Sequence, residues 1–211
     1  MAAASLEAAA QAAARGIADV RQRVEPILAT IVSEMGLDLI ELRLAGSPRR
    51  SWRMAIFIDR LPGEGSVRIS ECTSVSRRLS AVLDVDDPFD APWELEVSSP
   101  GMSRLLRDAA DMLRFAEMTA RFALLPTDEG ARESVIGRIT ACANGQVTLN
   151  LKNGQPRLVA LSDVERAELN PTADEWAAMG ERIAAENAAR QRDTLDDAET
   201  ARPATESQGE A

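Results

Sequence analysis

The chain has 211 residues, 45% hydrophobic but only 3% aromatic and without tyrosine, so it can bury real cores of Leu, Ile, Val and Ala yet is poorly supplied with platforms for stacking exposed bases. It contains no histidine and a single lysine, Lys152, which excludes Ser-His-Asp and Cys-His nucleophile systems, imidazole acid–base chemistry and His-ligated zinc. Its net charge of −10 is concentrated after residue 170, where ten acidic residues face four basic ones; such a chain attracts bare phosphate weakly and a basic protein well.

In chain order, residues 1–14 form an Ala-rich extension. From Ile17 the apolar positions Val20, Val24, Ile27, Leu28, Ile31 and Met35 keep helical spacing, Pro26 is expected to kink the helix or start its second half, and Gly36 stops it. Leu39 to Leu44 and Trp52 to Asp59 alternate with period two, with Ile40, Leu42 and Leu44 expected on one face. The loop joining these two strands holds Arg49 and Arg50 at its tip, with Arg53 just beyond. Leu61 to Ser66 is a turn. Ser70 is expected to cap a second helix whose buried face is Cys72, Val75, Leu79 and Val82, with Glu71 in its first turn. Trp93, Leu95 and Val97 form a third strand facing the core. The order helix, strand, strand, helix, strand predicts an α+β domain over residues 15–100, a three-stranded sheet with two helices on one face.

A Ser98-Ser-Pro-Gly101 corner follows, then a helical connector over residues 101–116. Five short strands come next: Thr119 to Leu125, Ser134 to Ala141, Val147 to Leu151, Arg157 to Ala160 and Glu165 to Leu169. Turn sequences separate them, including Pro126 to Gly130, Asn144-Gly145 and Asn153-Gly154. Five strands in so short a span predict a small SH3/Sm-like barrel over residues 117–170, closed to remove exposed edges. Gly137 is expected to bend or bulge its strand. Residues 171–211 read as a helix, Ala173 to Gln191, carrying Trp176, Met179 and Ile183 on one side, followed by an acidic disordered end. Periodicity leaves open whether that helix docks on the barrel.

Cys72 and Cys142 form no C-x-x-C and are expected as free thiols in a reducing compartment. The N-terminus lacks the pattern of a signal peptide, and no apolar run is long enough to span a membrane, which points to a cytoplasmic protein. Walker, Rossmann and calcium-loop motifs are all missing. Paired carboxylates such as Asp86 with Asp87, or Asp128 with Glu129, sit in loops where acids serve solubility; a hydrolase using them is the weak alternative. No catalytic, cofactor or metal site is expected. Two small domains without a chemical constellation point to an adaptor for something large.

Three blocks carry a resemblance: Ser70-x-Cys72-x-x-Val75-Ser-Arg-x-Leu-Ser80 with Leu83-Asp84, then Leu95-Glu-Val-Ser-Ser-Pro-Gly101-x-x-Arg104, and upstream the Met35-Gly-Leu-Asp-Leu and Ile56-Phe-Ile-Asp59 stretches. Together they resemble the bacterial ribosome maturation factor RimP family over roughly residues 20–170. The chain departs from the family pattern after the Ser-Pro-Gly, where Ser103 replaces an acid and Leu105 a proline, and in the lead into the barrel, Leu113 to Thr119, which lacks a glycine and the base after it. The resemblance implies a cytoplasmic, non-catalytic factor that binds the free small ribosomal subunit during its maturation. The local arginine clusters and mildly acidic surfaces lead to the expectation that it meets both rRNA and a basic ribosomal protein, as a monomer. The residues expected to contact the subunit or act as a hinge are Ser98, Ser99, Pro100, Gly101 and Arg104, with Arg49, Arg50 and Arg53 in the arginine loop. A different reading is an Sm-like RNA-binding regulator.

Overall fold

The computed structural model describes residues 2–46, 51–61, 66–126 and 130–200, the side chains of the two terminal helices being described from residue 16 and up to residue 185. The helical spacing from Ile17 is realised in α1 (Ala2–Glu34), which takes in the Ala-rich extension and runs through Pro26. Val20, Val24, Leu28, Ile31 and Val32 are its buried stripe, as an amphipathic helix requires. The chain leaves the helix at Gly36, whose φ of +66° favours a residue without a Cβ.

Strands β1 (Leu37–Gly46) and β2 (Trp52–Arg60) pair antiparallel, and β3 (Trp93–Ser98) lies parallel to β2. A parallel pair needs a crossover, and α2 (Ile69–Asp86) provides it. Side chains from both helices enter one core with the sheet, so both cover the same face, and Trp93, Leu95 and Val97 pack there as their alternation predicts.

Three local expectations are corrected. The ladder shifts register between Leu39 and Glu41, so Ile40 does not share a face with Leu42 and Leu44: these two pack on the N-terminal core while Ile40 is buried outside it. A bulge inserts one residue and breaks the period-two rule at that point. Helix α2 starts earlier than Ser70, at an Arg68 N-cap whose N–H donates to Glu71 Oε2 at 2.7 Å. Its buried residues are Val75, Leu79 and Leu83, while Val82 is exposed.

After the corner come a 3-10 turn (Gly101–Ser103) and the one-and-a-half-turn helix α3 (Ala109–Arg114). Strands β4 (Thr119–Leu124), β5 (Ser134–Ala143), β6 (Gln146–Leu151), β7 (Pro156–Ala160) and β8 (Val164–Leu169) fall where the turn chemistry predicts. Asn144 and Gly145, at φ +53° and +73°, make the β5–β6 hairpin turn. The strands form one antiparallel sheet in the order β7-β6-β5-β4-β8. The expected closure is not found among the described residues: no ladder joins β7 to β8. The connector occupies the outer edge of β8 instead. Leu105 bridges Glu168, Leu106 N–H donates to Ala167 O at 2.9 Å, and Leu169 N–H donates to Arg104 O at 2.8 Å. Leu105 uses no N–H in that bridge, so a proline would fit the same pairing.

Gly137 is not at a bulge; the register shift of β5 lies between Ile139 and Ala141. Gly137 serves close approach, since a Cβ there would lie 3.0 Å from Asn150 O on β6. Helix α4 (Ala173–Thr200) is longer than expected and covers part of the stretch read as disordered; residues 201–211 lie outside the described residues. It docks: Trp176 and Met179 pack against the second core. Its start is a capping box in which Glu175 N–H donates to Thr172 Oγ1 and Thr172 N–H donates to Glu175 Oε2. The two cysteines are unpaired and half-buried, and burial pushes both thiols up. Among the described residues no helix is long and apolar enough to cross a membrane.

Candidate functional site at the joint between the two sheets

Asp38 and Asp59 are directly opposed in the β1–β2 ladder. Like charges in that position repel. What offsets the repulsion comes from the connector. Arg104 is 2% exposed; its Nη1 donates to Asp59 Oδ2, and its Nη2 lies 3.7 Å from Asp38 and 3.8 Å from Asp111. Its guanidinium sits 5.2 Å from the Phe115 ring centre. Arg107 grips Asp38 with two hydrogen bonds, Nη1 to Oδ1 at 2.7 Å and Nη2 to Oδ2 at 2.8 Å, while its Nε donates to Asp111 Oδ2 at 2.9 Å. Bidentate contacts of this kind are both strong and orienting.

Each of these side chains is placed by its element. The β1 start and the β2 end bring the two aspartates together. Asp108 accepts from Asp111 N–H as the N-cap of α3, which sets Asp111 four residues from Arg107 on a short helical turn. Pinning of Arg104 O by Leu169 N–H fixes the connector on the β8 side. A second cluster lies on the same joint: Arg166 of β8 donates to Glu41 of β1 at 2.8 Å and to its own strand neighbour Glu168 at 2.7 Å from Nε, and Arg43 donates to Glu41 at 2.7 Å.

Burial works against the charged form of Asp111 and of Glu41, yet hydrogen bonds from Arg107, and from Arg43 and Arg166, outweigh it and hold both carboxyls below their usual range. Arg107 is shifted upward by its bonds to Asp38 and Asp111, whereas burial pulls Arg104 down against the attraction of Asp59. A carboxyl with a depressed folded pKa stabilises the fold above its unfolded pKa, and that contribution is lost as pH falls through the folded value. The joint should therefore weaken below about pH 4. Urea midpoints measured from pH 7 down to pH 3 check this, and Asp111→Asn should flatten the acid limb.

The corner sets where this hardware falls. Ser98 ends β3 opposite Phe57. The 3-10 turn Gly101–Ser103 follows, with Pro100 as its N-cap and no side-chain cap hydrogen bond. Gly101, at φ +61°, is needed for its backbone: a Cβ there would meet nothing within 4 Å. Gly101→Val should therefore cost about 1–2 kcal/mol through left-handed strain alone, seen as a lower urea midpoint with the far-UV spectrum kept. Arg104 is buried and ion-paired inside the joint. Arg53 is exposed and paired with Glu94 at 3.1 Å across β2 and β3; Arg49 and Arg50 lie outside the described residues, as do Asp128 and Glu129.

Asp38, Arg107, Asp111, Glu41 and Arg166 carry the joint and were not singled out from the sequence. The Arg107–Asp111 spacing of four residues was the one readable signal. The remaining pairs join residues dozens of positions apart.

Fold and joint together define a protein of two modules, an α-β-β-α-β unit and a five-stranded β unit, clamped by arginine–carboxylate pairs. Residues 27–103 match the family model of the RimP N-terminal domain. The matched span runs from within α1 through the Ser-Pro-Gly corner and ends just before Arg104. It contains Asp38 and Asp59, so two of the blocks that carry the resemblance supply two of the carboxylates of the joint.

Proposed function

We propose that this chain is a non-catalytic assembly factor that binds the free small ribosomal subunit in the cytoplasm during its maturation, acting as a monomer. The match of residues 27–103 to the RimP N-terminal domain is the observation that carries this reading. The domain limits proposed are 15–100 for the first unit, 101–116 for the connector and 117–170 for the second. An SH3/Sm-like class for that second unit is supported by its strand order and by the 3-10 turn Leu161–Asp163 between its last two strands. In this reading the ion-paired joint holds both units at one angle, so that a single large target is met by two surfaces at once. Arg49, Arg50 and Arg53 on the β1–β2 hairpin approach rRNA phosphates, and the acidic surfaces meet a basic ribosomal protein.

Co-sedimentation with purified small subunits at rising salt tests the proposal. Binding at low salt that weakens steadily with salt, and weakens further in an Arg49→Glu, Arg50→Glu variant, is the expected result. Failure to travel with small subunits at low salt would sink it. Tight binding to short single-stranded RNA in a gel shift would favour the Sm-like regulator instead.

A further inference from the structure

A cleft of about 400 Å³ opens beside the joint, between Val67, the Pro100-Gly101 corner, Phe115 and the inner face of α4. Its walls are largely apolar, with Trp176, Met179 and Ile183 on the helix side. Its polar floor is unusual. Arg104 and Arg114 both line it with Asp59, and Asp59 serves both guanidinium groups. Arg104 Nε and Nη2 and Arg114 Nη1 are buried and donate no hydrogen bond. Buried donors left without acceptors are costly, and although Asp38, Asp59 and Asp111 balance the charge of Arg104, Arg107 and Arg114, those three nitrogens remain without an acceptor.

The helix side adds an independent observation. Gly180 lies inside α4 and lines the cleft, and a Cβ on it would meet nothing within 4 Å. Glycine inside a helix is unfavourable relative to alanine, and this helix is otherwise rich in alanine. Without a side chain at 180 the mouth stays open over the two arginines.

We infer that this cleft is a binding site for a monocarboxylate with an apolar body, its carboxylate accepting from Arg104 and Arg114 and its apolar part lying against Trp176, Met179 and Ile183. The carboxylate matches the planar forked donors. The apolar walls match a ligand larger than a bare inorganic ion.

Benzoate is a suitable probe, titrated into the full chain while the Trp176 indole resonance is followed by NMR. The expected result is a saturable shift at millimolar benzoate. Arg114→Gln should weaken it at least tenfold, and benzyl alcohol, which has the same body without the charge, should produce none. Gly180→Leu keeps the helix, raises its propensity and fills the mouth, so it should abolish the shift in a protein that remains folded. No saturable shift with benzoate, an equal response to benzyl alcohol, or unchanged binding in Gly180→Leu would each overturn the inference. Inorganic phosphate binding as tightly as benzoate would also overturn it, because the apolar walls would then contribute nothing.

Discussion

Arg104→Ala should destabilise the folded chain by about 3–5 kcal/mol, the loss expected when one partner is removed from a buried ion pair and the other charge is left behind. Here three carboxylates lose their common partner: Asp59 directly, and Asp38 and Asp111 at 3.7 and 3.8 Å. Asp38 and Asp59 face each other across the ladder, so their repulsion returns at once. Arg107 still holds Asp38 and Asp111, and Arg114 reaches Asp59 only at 3.8 Å. The backbone bond from Leu169 N–H to residue 104 survives the substitution, which is why the variant should remain partly docked. The sharper expectation concerns cooperativity. With the clamp gone, the two sheets should unfold in separate urea transitions, one reported by Trp52 and Trp93 and the other by Trp176. Adding Asp59→Asn should recover part of the loss by removing the stranded charge. A single transition with unchanged midpoint in Arg104→Ala would show that the joint contributes nothing to holding the units together.

Trp52→Ala is expected to cost a similar amount, about 3–5 kcal/mol, through a large cavity in the first core. Trp52 is 1% exposed and lies on the central strand of its sheet. Its ring packs on Phe89 at 6.0 Å, Phe89 stacks on Trp93 at 5.4 Å, and its Nε1 donates to Asp90 Oδ1 at 3.2 Å. Its backbone N–H donates to Pro92 O, tying the start of β2 to the segment that enters β3. Truncation therefore empties the core and leaves the Asp90 carboxylate without its donor. Because Trp52 pairs with Gly46 to close the β1–β2 hairpin, the same change should weaken small-subunit binding if the arginines of that hairpin carry it. Trp52→Phe, which keeps an aromatic ring in place, should retain most of the stability, and thermal unfolding of the three proteins side by side makes the comparison.

Salt response separates the clusters. The Arg53–Glu94 pair is more than two-thirds exposed on both sides, and pairs of that kind contribute little and are screened. The Arg104 site is shielded from solvent, so the coupling between the units should persist at salt concentrations that abolish attraction to a ribosomal surface.

Much of the architecture was legible before any coordinates. Two hydrophobic periods, 3.6 and 2.0, follow from where successive Cβ atoms point, and they located α2 and all eight strands to within a few residues and the C-terminal end of α1, whose start lies about fifteen residues earlier than the period marks. Asn144-Gly145 marked its hairpin because both positions need positive φ. The misses are instructive for the opposite reason. Ile40 left its expected face because a bulge, invisible in a pattern of residue types, inserted one position. The connector lies along the outer edge of β8, where closure would have placed β7, and nothing in the composition of Arg104 to Leu106 announces that it will act as an edge.

For the joint the division is sharper. The sequence by itself determined the two units, the corner that ends the first, the absence of histidine chemistry and the family resemblance, all properties of local pattern or residue type. Only the tertiary structure decided that Arg104 turns inward onto Asp59, that Arg107 holds Asp38, that Arg166 reaches Glu41, and that α4 packs over a cleft floored by arginine. Those side-chain pairings join residues 45 to 125 positions apart, and an arginine reads the same in sequence whether it is solvated or buried. What selects between the two is the carboxylate brought opposite it by strand register and by the edge of another sheet, a long-range condition that no local period encodes.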